Sequence, residues 1–189
     1  MKSRHYLAAV LMSLPALALA HPGHELQSGF AAGIMHPVSG IDHLVAMLAV
    51  GMWAAQLGGR LRWAVPLSFV SLMLVGALPG LSGLQFSAVE QGIAASVCVL
   101  GLLLTGAVRL PAVACVVLTG AFALFHGYAH GAEAPASGVA MYLSGFALIT
   151  LVLHLAGLTV AGQLLRHRQQ AMRWAGAAMM VGGIALFAV

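Results

Sequence analysis

Charge is what this chain most lacks. Only 6% of its 189 residues are charged, against 61% hydrophobic, and its mean hydropathy is +1.00. A soluble domain of this length carries roughly a quarter charged residues, so a water-facing surface is excluded and an integral membrane protein is implied. Cysteine is scarce too: Cys98 and Cys115 both fall in apolar segments without CxxC spacing, which argues against disulfide or thiolate-metal chemistry and for packing. Basic clusters are missing as well. The net charge of +4 comes from eight Lys and Arg, and six of them (Arg60, Arg62, Arg109, Arg166, Arg168 and Arg173) flank apolar segments. Nucleic acid is therefore not an expected partner. No HExxH, GxSxG or nucleotide-binding motif occurs, so nothing points to an enzyme or to an ATP-driven pump.

What is present is organised by hydrophobic length. Residues 1–20 read as a cleavable signal peptide, with Lys2 and Arg4 ahead of an apolar stretch that ends in Ala18-Leu19-Ala20. The remainder, 21–189, reads as one all-α membrane domain. Its apolar segments lie at about 38–57, 63–80, 88–107, 110–127, 138–160 and 171–189, each near the roughly 20 residues a helix needs to cross a bilayer. Every backbone group must be satisfied internally in hydrocarbon, so each segment should be helical. Twenty-three glycines fit close helix packing.

Orientation follows from the arginines. With six spans, all six flanking arginines fall on one side, and the positive-inside rule makes that side cytoplasmic. The four acids Glu25, Asp42, Glu90 and Glu133 fall on the other. A cleaved signal independently requires a periplasmic mature N-terminus in a bacterial inner membrane. At ~1.5 Å rise per residue, Asp42 stands about 27 Å from Arg60, while Glu90 and His126 stand about 28 and 25 Å from Arg109. Three polar groups on three spans thus reach one level, as an outward-facing ring.

Two stretches concentrate ligand-type side chains. In "HPVSGIDH", residues 36–43, a regular helix would hold His36 and His43 about 10 Å apart along its axis. Pro37 and Gly40 make a broken or re-entrant segment the expectation, folding His36 back toward Asp42 and His43. The plainer alternative has Asp42 capping the first span and His36 simply wet. In "FHGYAHGAE", residues 125–133, His126 and His130 share a helix face, and Glu133 follows on it if the helix passes Gly131. Gly127 and Gly131 read as packing notches or as room for a ligand. Glu90 suits the first turn of a helix through the dipole alone, yet a carboxylate at that depth is costly unless paired or wet. His154, about halfway across the fifth span, fits a hydrogen bond to a neighbouring helix better than a transit ligand. His21 and His24 belong to a floppy start.

Nine histidines, four acids and one lysine, at position 2, make an imidazole-and-carboxylate palette suited to divalent nickel, cobalt, zinc or copper. The ten methionines are dispersed, which disfavours copper(I).

These two stretches resemble the HupE/UreJ family of hydrogenase and urease accessory membrane proteins. The family's HX5DH is met by His36, Asp42 and His43, its FHGxAHGxE by Phe125 to Glu133, and its third-span glutamate by Glu90. The resemblance, running from about residue 21 onward, implies a nickel permease that takes Ni²⁺ at the periplasmic face. It implies His36, Asp42, His43, Glu90, His126, His130 and Glu133 as the metal-handling set, with Ni²⁺ as transported ion and no resident cofactor. A cytoplasmic nickel-acceptor protein would assist release. The alternatives are a non-transporting metal receptor or chaperone, a carrier of another metal such as cobalt, or a proton-conducting helper. Ligand motifs opening each half of three spans also permit a 3+3 inverted repeat.

Overall fold

A computed structural model of the protein describes residues 29–187. The signal-peptide reading of residues 1–20, His21, His24 and Glu25 lie outside the described residues. Seven helices follow one another: α1 (Phe30–Ser39), α2 (Ile41–Leu57), α3 (Leu61–Leu81), α4 (Val89–Thr105), α5 (Ala112–Ala132), α6 (Val139–His167) and α7 (Gln169–Leu186), with no strand among the described residues.

The apolar segments of the sequence became helices, with ends displaced by a few residues. Helix α1 was not among them. It continues through Pro37, which sits in its last turn where only one backbone bond is forfeited. The break falls instead at Gly40, an extended residue (φ −90°, ψ 114°) where the chain turns by 89° into α2. Helix α5 runs to Ala132, further than the expected 127, so His130 is helical and Glu133 sits at the C-cap.

Helices α3, α5 and α6 are long and apolar enough to cross a bilayer, and the bent pair α1–α2 passes as a fourth span. Helix α4 is apolar but has 17 residues, about 25 Å of helix. The architecture is that of a membrane protein.

Three pairs pack most closely: α3 with α5, α4 with α7, and α1–α2 with α6. Glycines let the backbones touch. A methyl group at Gly127 would strike the Met73 carbonyl, and one at Gly131 the Ala77 carbonyl, so α3 and α5 rise together, in parallel. Met47 meets His154 and, four residues further on both helices, Gly51 meets Leu158, so α2 and α6 are also parallel; Gly101 against Met180 and Gly183 against Cys98 join α4 to α7 antiparallel. Between these pairs lies the core of Met47, Trp53, Phe69, Met73, Leu100 and Phe146, all fully buried. Cys98 and Cys115 are free thiols.

Candidate metal-handling site

The bend at Gly40 does what a regular helix could not. It turns His36, on α1, and His43, on α2, onto the same imidazole of α5: His130 lies 4.8 Å from His36 and 4.5 Å from His43, ring centre to ring centre. His43 also meets His126, one turn earlier on α5, at 4.8 Å. The i, i+4 spacing of "HGYAH" is what presents both α5 rings to one neighbour.

Carboxylates orient the outer two histidines. His36 Nε2 donates to Glu133 Oε2 at 2.7 Å. That bond holds the Glu133 carboxyl below its ordinary value, outweighing partial burial. Asp42 Oδ1 accepts from both the His43 backbone N–H (2.7 Å) and the ring Nδ1 (2.9 Å). Helix α2 has Gly40 at its N-cap and no side-chain cap, so Asp42, in the first turn, holds its neighbour's ring together with one free backbone N–H of the helix start.

Tautomers follow from these partners. With Nδ1–H given to Asp42, His43 keeps its lone pair on Nε2, which is buried and unpartnered. Ser96 spends its hydroxyl proton on the Ile93 carbonyl (2.7 Å), so its oxygen accepts from His126 Nε2 (2.9 Å). The free lone pair of His126 is then Nδ1, also buried without a partner, and both nitrogens of His130 are in the same state. Leaving a buried polar atom unsatisfied costs about 1–3 kcal/mol. Three such imidazoles in contact are therefore a strong sign that the site exists to meet something. A carboxylate or hydroxyl behind a histidine whose other nitrogen is free is the arrangement that prepares imidazole for a metal.

Six of the seven residues singled out in the sequence (His36, Asp42, His43, Glu90, His130 and Glu133) line one cavity of about 250 Å³. Glu90 is exposed, on the first turn of α4, and the loop before it is pinned by Tyr128, whose hydroxyl donates to the Leu84 carbonyl and accepts from the Phe86 N–H (2.9 Å). The seventh, His126, does not belong to a rim at the level of Asp42 and Glu90. It is fully buried beneath His43 and absent from the cavity lining, because α5 packs tightly on α3 there. The groups descend inward instead of forming a flat ring. Among the described residues no three His, Cys, Asp or Glu side chains are already arranged to hold a metal ion. The rings meet edge to face, and bringing their free nitrogens to one point requires them to turn.

Deeper still, the Phe69 ring stands between His126 (5.7 Å) and His154 (5.1 Å). His154 makes the expected bond to a neighbouring helix, Nδ1 to the Met47 carbonyl at 2.8 Å. Ser96 and Tyr142 were not anticipated. Tyr142 lies 5.9 Å from His36, with its buried hydroxyl unpartnered. No spacing rule links either to the histidines; their contacts arise from helix packing alone.

The fold and the site thus define a helical membrane protein whose carboxylate-rimmed cavity leads down to buried imidazoles. The comparisons narrow this. The profile described as "HupE / UreJ protein" matches residues 8–186, and the chain belongs to that family. Protein HupE of Rhizobium leguminosarum bv. viciae is 41% identical over 177 residues, covering 93% of this chain and 92% of the relative. No solved structure matches.

Proposed function

We propose that the protein is an inner-membrane nickel permease that takes Ni²⁺ from the periplasmic face and passes it to the cytoplasm for hydrogenase or urease maturation. One observation carries the reading: His43, His126 and His130 keep unshared, buried nitrogens below a cavity rimmed by Asp42, Glu90 and Glu133. The carboxylates would draw in and partly dehydrate the cation. The neutral imidazoles would then take it in turn, a donor set that favours late first-row divalent metals over magnesium or calcium. Rings that must turn to chelate suit a transient station better than tight storage, which favours a permease over a receptor.

In this reading the chain has six spans, with α1–α2 as the first and the shorter α4 and α7 as the third and sixth. Arg60, Arg62, Arg109, Arg166, Arg168 and Arg173 mark the cytoplasmic side. The helix pairing supports a 3+3 inverted repeat. Exchanging the first three spans for the last three turns the pair α2·α6 into α5·α3 and returns α4·α7 to itself, each with its parallel or antiparallel sense kept. Such repeats underlie alternating access in many transporters.

Radioactive nickel uptake, compared in cells carrying and lacking the protein, tests the proposal. Faster uptake with the protein, competed by excess nickel more strongly than by cobalt, is expected. Nickel binding to membranes without added uptake would establish a receptor instead.

A further inference from the structure

At the end of the bundle opposite the histidines lies a second polar cavity, of about 380 Å³. Gln56 at the end of α2, Ala107 and Arg109 after α4, and Gln169 and Arg173 at the start of α7 line it. No carboxylate does, and among the described residues neither guanidinium has an acidic partner. Gln56 is nine-tenths buried, and its amide oxygen has no hydrogen-bond partner. Helix α7 opens onto this space with no side-chain cap, so the positive end of its dipole adds to the two guanidinium charges.

The wall between the arginines is held under strain. Ala107 adopts φ 51°, a left-handed conformation that a residue with a Cβ avoids. The Trp53 indole N–H secures the next residue by bonding the Val108 carbonyl at 3.2 Å. Strained backbone residues of this kind cluster at active sites and ligand clamps. Trp63 and Trp174, 52% and 67% exposed, sit beside Arg62 and Arg173 within the first two turns of α3 and α7. Exposed tryptophans at helix ends mark the headgroup level of a bilayer.

We propose that this cavity binds a phosphate-bearing anion, supplied by the headgroup of an anionic phospholipid. The arginine forks match phosphate oxygens bidentately. The free Gln56 carbonyl is an acceptor for a headgroup hydroxyl, which a phosphatidylglycerol carries and a choline headgroup lacks. The inference stands whether or not the protein carries nickel.

Thermal unfolding of the full-length protein in detergent, with phosphatidylglycerol, phosphatidylcholine, glycerol phosphate or inorganic phosphate added, tests it. Phosphatidylglycerol should raise Tm by about 2–4 °C and phosphatidylcholine should not. R109Q/R173Q should lose that rise, while R60Q/R62Q, changed outside the cavity, should keep it. Should the double variant fold poorly, R173K, which keeps the charge but not the fork, must show a reduced rise. A rise with inorganic or glycerol phosphate equal to that with the lipid, lost in R109Q/R173Q, would support the same anion site with a soluble phosphate as occupant. Equal responses to both lipids overturn the proposal, as does a response unchanged in R109Q/R173Q or lost equally in R60Q/R62Q.

Discussion

Replacing Asp42 probes how much of the site's function lies in presenting one imidazole correctly. Its Oδ1 takes two hydrogen bonds, from the backbone N–H and ring Nδ1–H of His43. Asp42→Asn keeps the shape of the side chain, and the amide oxygen can accept both bonds, but without charge. A bond to a charged acceptor contributes about 1.5–3 kcal/mol and a neutral one about 0.5–1.5. The difference, about 1.2 kcal/mol between the middles of those ranges, is roughly eightfold in binding. The loss of a negative charge from the cavity rim adds to this. Asp42→Ala removes the acceptor altogether, freeing the ring to turn and its proton to move to Nε2, where the metal should bind. Losing such a supporting partner typically weakens metal binding by about 10–100-fold. Initial rates of radioactive nickel uptake, measured across nickel concentrations and corrected for protein abundance in the membrane, separate the cases. Asp42→Asn should raise half-saturation at least about eightfold, enough to silence uptake at trace nickel, and Asp42→Ala should be worse still. Wild-type half-saturation in both variants would refute the orienting role of Asp42.

Three further predictions concern stability. Gly127→Ala should destabilise the protein by about 1–2 kcal/mol, because overpacking against the Met73 carbonyl outweighs the helix-propensity gain of alanine. Gly182→Ala, with nothing within 4 Å of the added methyl, should be neutral or stabilising; unfolding in detergent checks both. The depressed Glu133 carboxyl stabilises the fold above the ordinary glutamate value of 4.5, and that stability is lost as pH falls through its lower folded value. A pH series of melting temperatures should therefore show an acid-side decline below about 4.5 that is shallower in Glu133→Gln.

The site was legible in the sequence where local geometry decides it. A four-residue spacing on a helix fixes His126 and His130 to one face whatever surrounds them, and a glycine three residues after a proline warned of the break that folds His36 toward His43. Which of the two would break was not legible: Pro37 lies late enough in α1 for the helix to tolerate it, and Gly40 takes the bend. Depth counted by helical rise was right about proximity and wrong about shape. It gives height along each helix but not which face is covered, so His126, sealed in by α3, could not be told from a rim residue. Gly127 and Gly131 had two readings, and the carbonyls of Met73 and Ala77 decide for packing. Ser96 and Tyr142 stayed hidden because each reaches its histidine across a helix pair, and pairing was not written in any segment's own pattern.

The central claim is that Ni²⁺ crosses the membrane by way of the imidazoles under the carboxylate rim. Purified protein in liposomes loaded with a nickel-sensitive dye tests it most directly. Imposed outside nickel should quench the lumenal dye with wild-type protein and fail to do so with His130→Ala at equal incorporation. Equal quenching in the two, or none with a wild-type protein that still binds nickel, would contradict it.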